Sequence, residues 1–357
     1  MAALQAQVRD AAAEGRPLRI RGGGSKDFYG GPLTGEWLDT TALAGISSYE
    51  PSELVVTARA GTPLAELEEA LAERGQCLPF EPPRFGEGGT VGGMVAAGLA
   101  GPARAAAGGV RDHVLGATLL NGRAELLSFG GQVMKNVAGY DVSRVLAGSM
   151  GILGLVCEVS LKVLPLPAAT LTLRLEADQA SAIRRLNDWG GQPLPLNASA
   201  WWDGTLVLRL AGAAAAVQSA AAKIGGEAVD AALAAGFWDG LRDHRDEFFT
   251  GAARAVHQGA ALWRLSVPAT APPLALSGEQ LIEWGGAQRW LCTAAPAAML
   301  REAARAVGGH AVLFRGGDKA AGVFAPLPPA LERIHRGIKQ AFDPAGIFNP
   351  GRLVPGL

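Results

Sequence analysis

The sequence is poor in cysteine. Its 357 residues include only three, Cys77, Cys157 and Cys292, and no two of them are close enough to form a C-x-x-C pair. Zinc sites and iron–sulfur clusters need closely spaced thiolate ligands, so we expect the chain to hold neither and predict no bound metal. An odd number of widely separated cysteines is typical of a reducing compartment.

Long apolar runs and an excess of charge of either sign are also lacking. No stretch of about 18 uncharged apolar residues occurs, so we expect no transmembrane segment, and the N-terminus has no apolar signal-peptide core. The formal net charge is −1, whereas binding to nucleic acid needs a basic surface. These absences predict a cytoplasmic protein that does not bind nucleic acid.

The two common nucleotide-binding loops are missing, although glycine is abundant. There is no G-x-x-x-x-G-K-[ST], and no strand leads into G-x-G-x-x-G with an acidic residue about 20 positions later. The 49 glycines concentrate instead in three segments, RIRGGGSKDFYGG (residues 19–31), residues 86–112 and GSMGILG (residues 148–154).

Glycine segments of this kind are candidates for binding an anion. Glycine permits positive φ and lets another molecule approach the main chain closely, and consecutive exposed amides form a concavity that favours an anion such as a diphosphate. Three segments that converge on one set of strands could surround one large ligand. The alternative is that they are ordinary glycine-rich loops without a ligand.

The order of predicted elements indicates an α+β protein with more than one domain. In the first part, strands are predicted at Leu18–Arg21 and at residues 53–60, a short helix at Val91–Ala97, and a hairpin at Asn121-Gly122. The prolines of LPLP (residues 164–167) mark a domain boundary. Beyond them, strands alternate with helices and hairpins as in an α+β sandwich, and a last helix is predicted at residues 330–342.

Several motifs together resemble a known family. RGGGS, GGTVGGMVA, VRDHVLGA, KNVAGYD, GSMGILGLVCEVSLKV and FDPAGIFNPGRL resemble the PCMH-type FAD-binding fold of the vanillyl-alcohol oxidase family, and within it the FAD-binding subunits of bacterial glycolate oxidases. The resemblance implies an FAD-binding domain of two α+β subdomains (residues 1–167). It also implies an inserted ferredoxin-like α+β cap domain (168–328) and a C-terminal segment that returns to the FAD domain (329–357).

The resemblance also implies which residues bind FAD, largely through main-chain amides. By motif they are Arg21, Gly22, Gly23, Gly24, Ser25 and Lys26, then Gly89, Thr90, Val91, Gly92 and Gly93, then Gly109, Arg111 and Asp112, then Gly151, Ile152 and Val156, and finally Asn349. Thr90 is expected to offer a hydroxyl to phosphate, and Asn349 with Arg352 to close the flavin site. Some members attach FAD through a histidine, but the first segment has none. We expect non-covalent FAD and a structural role for His113.

Catalytic residues are not assigned by the sequence. Related 2-hydroxy-acid dehydrogenases use a histidine cluster in the cap domain, often with a metal, whereas His244, His257 and His310 are scattered here. A catalytic base must lie within hydrogen-bond reach of the proton that it takes, and no His-x-His pair offers one. Two roles stay open for Arg315: it could bind a substrate carboxylate, or it could lie in a solvated turn.

The leading interpretation is an FAD-binding subunit of a glycolate oxidase or dehydrogenase complex, which oxidises glycolate or a similar 2-hydroxy acid. Since this chain lacks cluster-ligating cysteines, the implied partners are a second flavin subunit and an iron–sulfur subunit, and the complex could hold the chain peripherally at the inner membrane. Two alternatives stay open. One is a self-sufficient FAD-dependent 2-hydroxy-acid dehydrogenase such as D-lactate dehydrogenase, and the other is a non-catalytic assembly subunit.

Overall fold

A computed structural model describes residues 1–131 and 141–357. Lys135, Asn136 and Tyr140 of the KNVAGYD motif lie outside the described residues. The chain divides into two compact units. The first unit comprises Met1–Leu99, Gly109–Pro165 and Pro326–Leu357, and the second comprises Ala100–Gly108 and Leu166–Ala325.

The helices and strands are numbered in chain order. The α-helices are α1 (Ala2–Glu14), α2 (Leu64–Ala72), α3 (Val91–Ala97), α4 (Arg104–Ala107), α5 (Val110–His113), α6 (Gln179–Gly190), α7 (Ala214–Ile224), α8 (Ala231–Arg242), α9 (Glu247–His257), α10 (Ala297–Ala306) and α11 (Pro329–Phe342).

The strands of the first unit come before the end of the predicted FAD-binding domain at residue 167. They are β1 (Leu18–Arg21), β2 (Glu36–Asp39), β3 (Ile46–Glu50), β4 (Val55–Arg59), β5 (Gln76–Cys77), β6 (Val114–Leu120), β7 (Leu126–Gly130), β8 (Leu155–Lys162) and β9 (Leu164–Pro165). The strands of the second unit are β10 (Ala169–Glu176), β11 (Leu196–Trp202), β12 (Thr205–Gly212), β13 (Glu227–Val229), β14 (Ala261–Ser266), β15 (Glu279–Glu283), β16 (Gln288–Thr293) and β17 (His310–Gly316).

The first unit is built around a five-stranded antiparallel sheet with the order β3-β4-β8-β6-β7. Strand β8 lies between β4 and β6, and six of its eight residues are buried. Strands β1 and β2 pair in parallel. The C-terminal tail runs beside β1, where Leu18 N donates to Ile347 O at 2.7 Å and Asn349 N donates to Leu18 O at 2.9 Å.

A buried cluster holds the tail in this unit. Val8 of α1, Leu18 of β1, Leu155 of β8 and Phe348 of the tail belong to one apolar core, and each is at most 1% exposed. Burying four large apolar side chains in this way stabilises the fold by several kcal/mol, at about 1.5–3 kcal/mol each. The tail is therefore an integral part of the first unit rather than a loose extension.

The second unit contains an eight-stranded antiparallel sheet with the order β13-β10-β12-β11-β15-β16-β14-β17. Its first half has the chain order β10-α6-β11-β12-α7-β13, which is the ferredoxin-like βαββαβ arrangement. The second half repeats the same strand order with β14, β15, β16 and β17, and β11 joins the halves by pairing with β15. The predicted α+β class with a ferredoxin-like inserted region is confirmed.

The limits of the units differ from the predicted domain boundaries at residues 100–108. These residues were expected in the first domain, but they belong to the second unit. The physical reason is contact with Trp284 of the second unit. Trp284 Nε1 donates to Gly101 O at 3.0 Å, and the Arg104 guanidinium lies 4.6 Å from the centre of the Trp284 ring. No sequence pattern predicts the contact between Gly101 and Trp284, which are 183 positions apart.

The predicted hairpin forms, with a longer loop than Asn-Gly alone would give. Strands β6 and β7 are joined by residues 121–125, and the positive φ falls on Ala124. The Asn121 side chain closes the loop by accepting hydrogen bonds from the amides of Arg123 and Glu125 at 2.9 and 3.0 Å. In the part of the chain that the structure describes, no helix has the length and apolar character needed to cross a bilayer.

Candidate cofactor-binding site

The three glycine-rich segments meet at one pocket within the first unit. The pocket contains about 780 Å³ of empty space, part of it open to solvent. The predicted FAD-binding residues that line it come from all three segments and from the tail: Arg21, Gly22, Gly23, Gly24, Ser25, Lys26, Thr90, Gly92, Gly93, Gly151, Val156 and Asn349.

The first segment supplies unpaired main-chain amides. Strand β1 ends at Arg21, and the chain then turns through Gly24, which has a φ of +74°. Within residues 1–131 and 141–357, the amides of Gly23, Gly24 and Ser25 find no hydrogen-bond acceptor. Three successive donors at the wall of a pocket form the kind of concavity that binds phosphate oxygens.

Two glycines let the first segment touch the second. A Cβ on Gly22 would lie 2.3 Å from Thr90 Oγ1, and a Cβ on Gly23 would lie 1.5 Å from Gly88 O. Both distances are below the 3.0 Å that real Cβ contacts respect. The RGGGS motif is therefore needed for close packing of two main chains as well as for access to a ligand.

The second segment contributes shape and one hydroxyl group. Thr90 caps α3, because its Oγ1 accepts a hydrogen bond from Gly93 N at 3.2 Å. Val91 N and Gly92 N already donate to main-chain carbonyls at 3.0 and 2.7 Å. The Thr90 hydroxyl can still offer its proton to a phosphate, since a threonine hydroxyl can accept one bond while it donates another.

The tail residue Asn349 connects the third segment to β1. Its Oδ1 accepts from Ile20 N at 2.9 Å, and its Nδ2 donates to Met150 O at 2.7 Å. Gly151 has a φ of +74°, and a Cβ on it would lie 2.7 Å from Asn349 Nδ2. A larger residue at position 151 would thus displace the amide that holds the turn.

Arg352 connects the tail to the first segment. Its guanidinium donates to Asp27 O at 2.9 Å, to Lys26 O at 3.3 Å and to Gly31 O. Burial lowers the pKa of Arg352 to about 10, so the group is still charged at neutral pH. The pocket wall carries three cations, Arg21, Lys26 and Arg352, and one carboxylate, Asp27, which gives a net charge of +2. This charge suits the dianionic diphosphate of FAD.

Six of the predicted residues do not line the pocket. Gly89, Val91 and Ile152 lie next to lining residues in the chain. Arg111 and Asp112 are exposed, and Asp112 Oδ2 accepts from Gly109 N at 2.8 Å. The VRD motif is thus a local cap for α5 in this structure, and contact of its residues with the cofactor stays a prediction.

His113 lies outside the pocket wall. It is 4% exposed, its Nδ1 lies 3.3 Å from Lys162 O, and its ring lies 5.3 Å from that of Phe80. These contacts agree with a structural histidine. Non-covalent attachment of FAD stays a prediction that a chemical test can decide.

The histidines of the second unit do not form a cluster. His244 stacks on Phe249 with ring centres 3.6 Å apart, and burial and nearby arginines hold the pKa of His244 well below its usual value. Burial lowers the pKa of His310 and that of Arg315, while His257 ends α9. Among the described residues, no three His, Cys, Asp or Glu side chains come together as metal ligands. The geometry assigns no catalytic base.

Sequence reasoning missed lining residues outside or at the edge of the glycine motifs. Asp27, Leu33, Thr40, Ala60 and Met150 also line the pocket. Asp27 and Met150 lie inside the predicted glycine segments 19–31 and 148–154, although neither was named individually. Thr40 and Ala60 follow the ends of β2 and β4 and carry no local signal, because only the assembled sheets bring them to the pocket.

The fold and the site define a class of FAD-binding proteins. Residues 1–130 match the model of the FAD binding domain family. The solved structure of an alkyldihydroxyacetonephosphate synthase shares the fold, with a TM-score of 0.67 at 13% identity over 98% of this chain and 75% of that one. The prediction of FAD as the cofactor is confirmed by the family model.

Sequence comparison narrows the class. The chain is 48% identical over 355 residues to glycolate oxidase subunit GlcE of Escherichia coli (strain K12), covering 99% of this chain and 97% of that subunit. A D-lactate dehydrogenase of Anaerostipes hadrus is 31% identical over 42% of this chain and 30% of its own length. Glycolate oxidase subunit GlcD of Bacillus subtilis (strain 168) is 30% identical over 36% and 27%. The chain belongs to the family of the glycolate oxidase subunit GlcE, and the predicted resemblance is confirmed.

Proposed function

We propose that this chain is the FAD-binding subunit of a glycolate oxidase or dehydrogenase complex that oxidises glycolate, or a similar 2-hydroxy acid, to the 2-oxo acid. The observation that carries the proposal is the 48% identity with a glycolate oxidase subunit over 97% of that subunit. Because the match spans both units, it supports the function of the whole chain and not of the FAD domain alone.

The pocket residues bind and orient the cofactor in this proposal. The amides of Gly23, Gly24 and Ser25 and the Thr90 hydroxyl hold the diphosphate, and the net positive wall neutralises its charge. Asn349 and Arg352 fix the loops that carry these donors. When bound, FAD supplies a two-electron acceptor for the hydride that leaves C2 of the hydroxy acid.

We further propose that other polypeptides complete the complex, namely a second flavin subunit and an iron–sulfur subunit. An iron–sulfur cluster is commonly held by four cysteine thiolates, whereas this chain has three cysteines. Two of them, Cys157 and Cys292, are buried. We propose that the complex works in the cytoplasm or at the inner face of the membrane, where a reducing environment keeps free thiols reduced.

Anaerobic mixing with glycolate tests the function. The purified chain, alone and then with its co-expressed partners, is mixed with glycolate or with D-lactate while the visible absorbance of its flavin is followed. We expect bleaching by glycolate when the partners are present and little or none in the chain alone. Full bleaching of the lone chain would favour a self-sufficient dehydrogenase. A purified chain that takes up no FAD would contradict the proposal and favour an assembly subunit.

A further inference from the structure

Helix α11 buries a lysine. Lys339 is 6% exposed and is the buried residue of this helix, while the apolar Leu331 and Ile334 of the same helix are 45% and 56% exposed. A buried ammonium group is costly unless it is fully hydrogen-bonded. Each N–H donor of the Lys339 ammonium therefore needs a hydrogen-bond acceptor.

All three donors of the Lys339 ammonium are used. Nζ donates to Asp343 Oδ2 at 2.6 Å, to Ile152 O at 2.7 Å and to Phe348 O at 2.9 Å. Asp343 is 1% exposed, and its carboxylate also accepts from Phe348 N at 2.8 Å and from Ile347 N at 3.2 Å. The pair is a satisfied network that joins α11, the tail and the third glycine segment.

The two carbonyls that Lys339 holds are next to the pocket. Ile152 follows Gly151, and Phe348 precedes Asn349. Both Gly151 and Asn349 line the pocket. The ammonium thus holds the main chain at Ile152 and at Phe348. These two stretches are also joined by the hydrogen bond from Asn349 Nδ2 to Met150 O.

We propose that Lys339 is a positioning residue for the FAD site, which it orients by clamping the main chain at Ile152 and Phe348. This inference rests on the cofactor site proposed above. Loss of the ammonium frees the third segment and the tail to shift, so the pocket binds FAD more weakly although the fold persists. Asp343 acts with Lys339 because it balances the charge and holds the tail amides.

Two variants and one matched control test this role. Lys339→Met keeps the length of the side chain and removes the donors, while Lys339→Arg keeps a charged donor. Arg333→Met changes an exposed cation on the same helix. The measurements are the Kd for FAD by titration of the apoprotein, the visible spectrum and midpoint potential of the bound flavin, and the Tm of the apoprotein.

We expect Lys339→Met to weaken FAD binding by about tenfold or more, as the loss of a charged hydrogen bond does, and to alter the spectrum or the potential. Lys339→Arg should recover part of the affinity, and Arg333→Met should leave it unchanged. A Lys339→Met protein with a lowered Tm but wild-type affinity, spectrum and potential would overturn the inference, since Lys339 would then serve the fold alone.

A second variant covers the case in which Lys339→Met does not fold. Lys339→Met combined with Asp343→Asn removes both buried charges, so no charge is left buried without its partner, which is the main cost of the single change. Weakened FAD binding by this folded protein supports the positioning role, and wild-type binding overturns it. If the wild-type protein itself takes up no FAD, the cofactor site and this inference both fail, which separates that outcome from a failure specific to Lys339.

Discussion

The replacement Gly23→Ala tests the packing of the two glycine segments. The new Cβ would lie 1.5 Å from Gly88 O, where at least 3.0 Å is needed. Because the neighbour is a main-chain carbonyl, no side-chain rotation relieves the contact, and the two segments must separate by roughly 1.5 Å. That shift changes the positions of the amides of Gly23, Gly24 and Ser25 at the pocket wall.

The size of the effect follows from the interactions that are lost. Overpacking of this kind costs about 1–3 kcal/mol of folding stability. Losing one hydrogen bond to a charged phosphate costs about 1.5–3 kcal/mol, which weakens FAD binding by roughly 10- to 100-fold. We therefore expect both a lower Tm and a much larger Kd for FAD.

The assay is a fluorescence titration of apoprotein with FAD, paired with thermal unfolding. Gly337→Ala is the matched control, because a Cβ at this position of α11 meets nothing within 4 Å. It should raise the helix stability by about 1 kcal/mol and leave the affinity for FAD unchanged. Wild-type affinity in Gly23→Ala would refute the assigned role of the loop contact.

Three further predictions concern single groups. Thr90→Val should lower FAD affinity by about tenfold and also weaken the cap of α3, whereas Thr90→Ser should keep both functions, as FAD titration will show. Burial raises the pKa of Asp246 to about 6, so its stabilising contribution is complete below its usual pKa of 3.8 and is lost as the pH rises to about 6. Asp246→Asn should remove up to about 3 kcal/mol of this pH dependence in unfolding experiments, and an unchanged pH profile would count against it. Denaturation should release all the flavin into solution, and flavin that stays with the denatured chain would show covalent attachment.

The glycine segments could be predicted from sequence because glycine acts locally. A positive φ at Gly24 or Gly151 is favoured by the absence of a Cβ, and glycine can be recognised directly in the sequence. Thr90 was named from the family resemblance as a hydroxyl donor to phosphate, whereas its role as the cap of α3 was not predicted. These local properties explain why the glycine segments were recognised as candidate anion sites, whereas the individual site residues came from the family resemblance.

Other parts of the site depend on contacts across the whole chain. The bond from Ile20 N to Asn349 Oδ1 joins residues 329 positions apart. Only the resemblance to a family pointed to Asn349 as a site residue, and the bond itself was not predicted. Lys339 carried no signal, because a lysine in an amphipathic helix is ordinarily solvated. The VRD motif was predicted to contact the cofactor. In the structure, Asp112 Oδ2 accepts a hydrogen bond from Gly109 N, and no residue of the motif lines the pocket.

A structure of the protein with FAD bound tests the central claim most directly, by the distances from the diphosphate oxygens to the amides of Gly23, Gly24 and Ser25. We predict at least two of these distances at about 2.7–3.2 Å. A diphosphate that lies outside hydrogen-bond reach of all three amides, or that is held by side chains alone, would contradict the account.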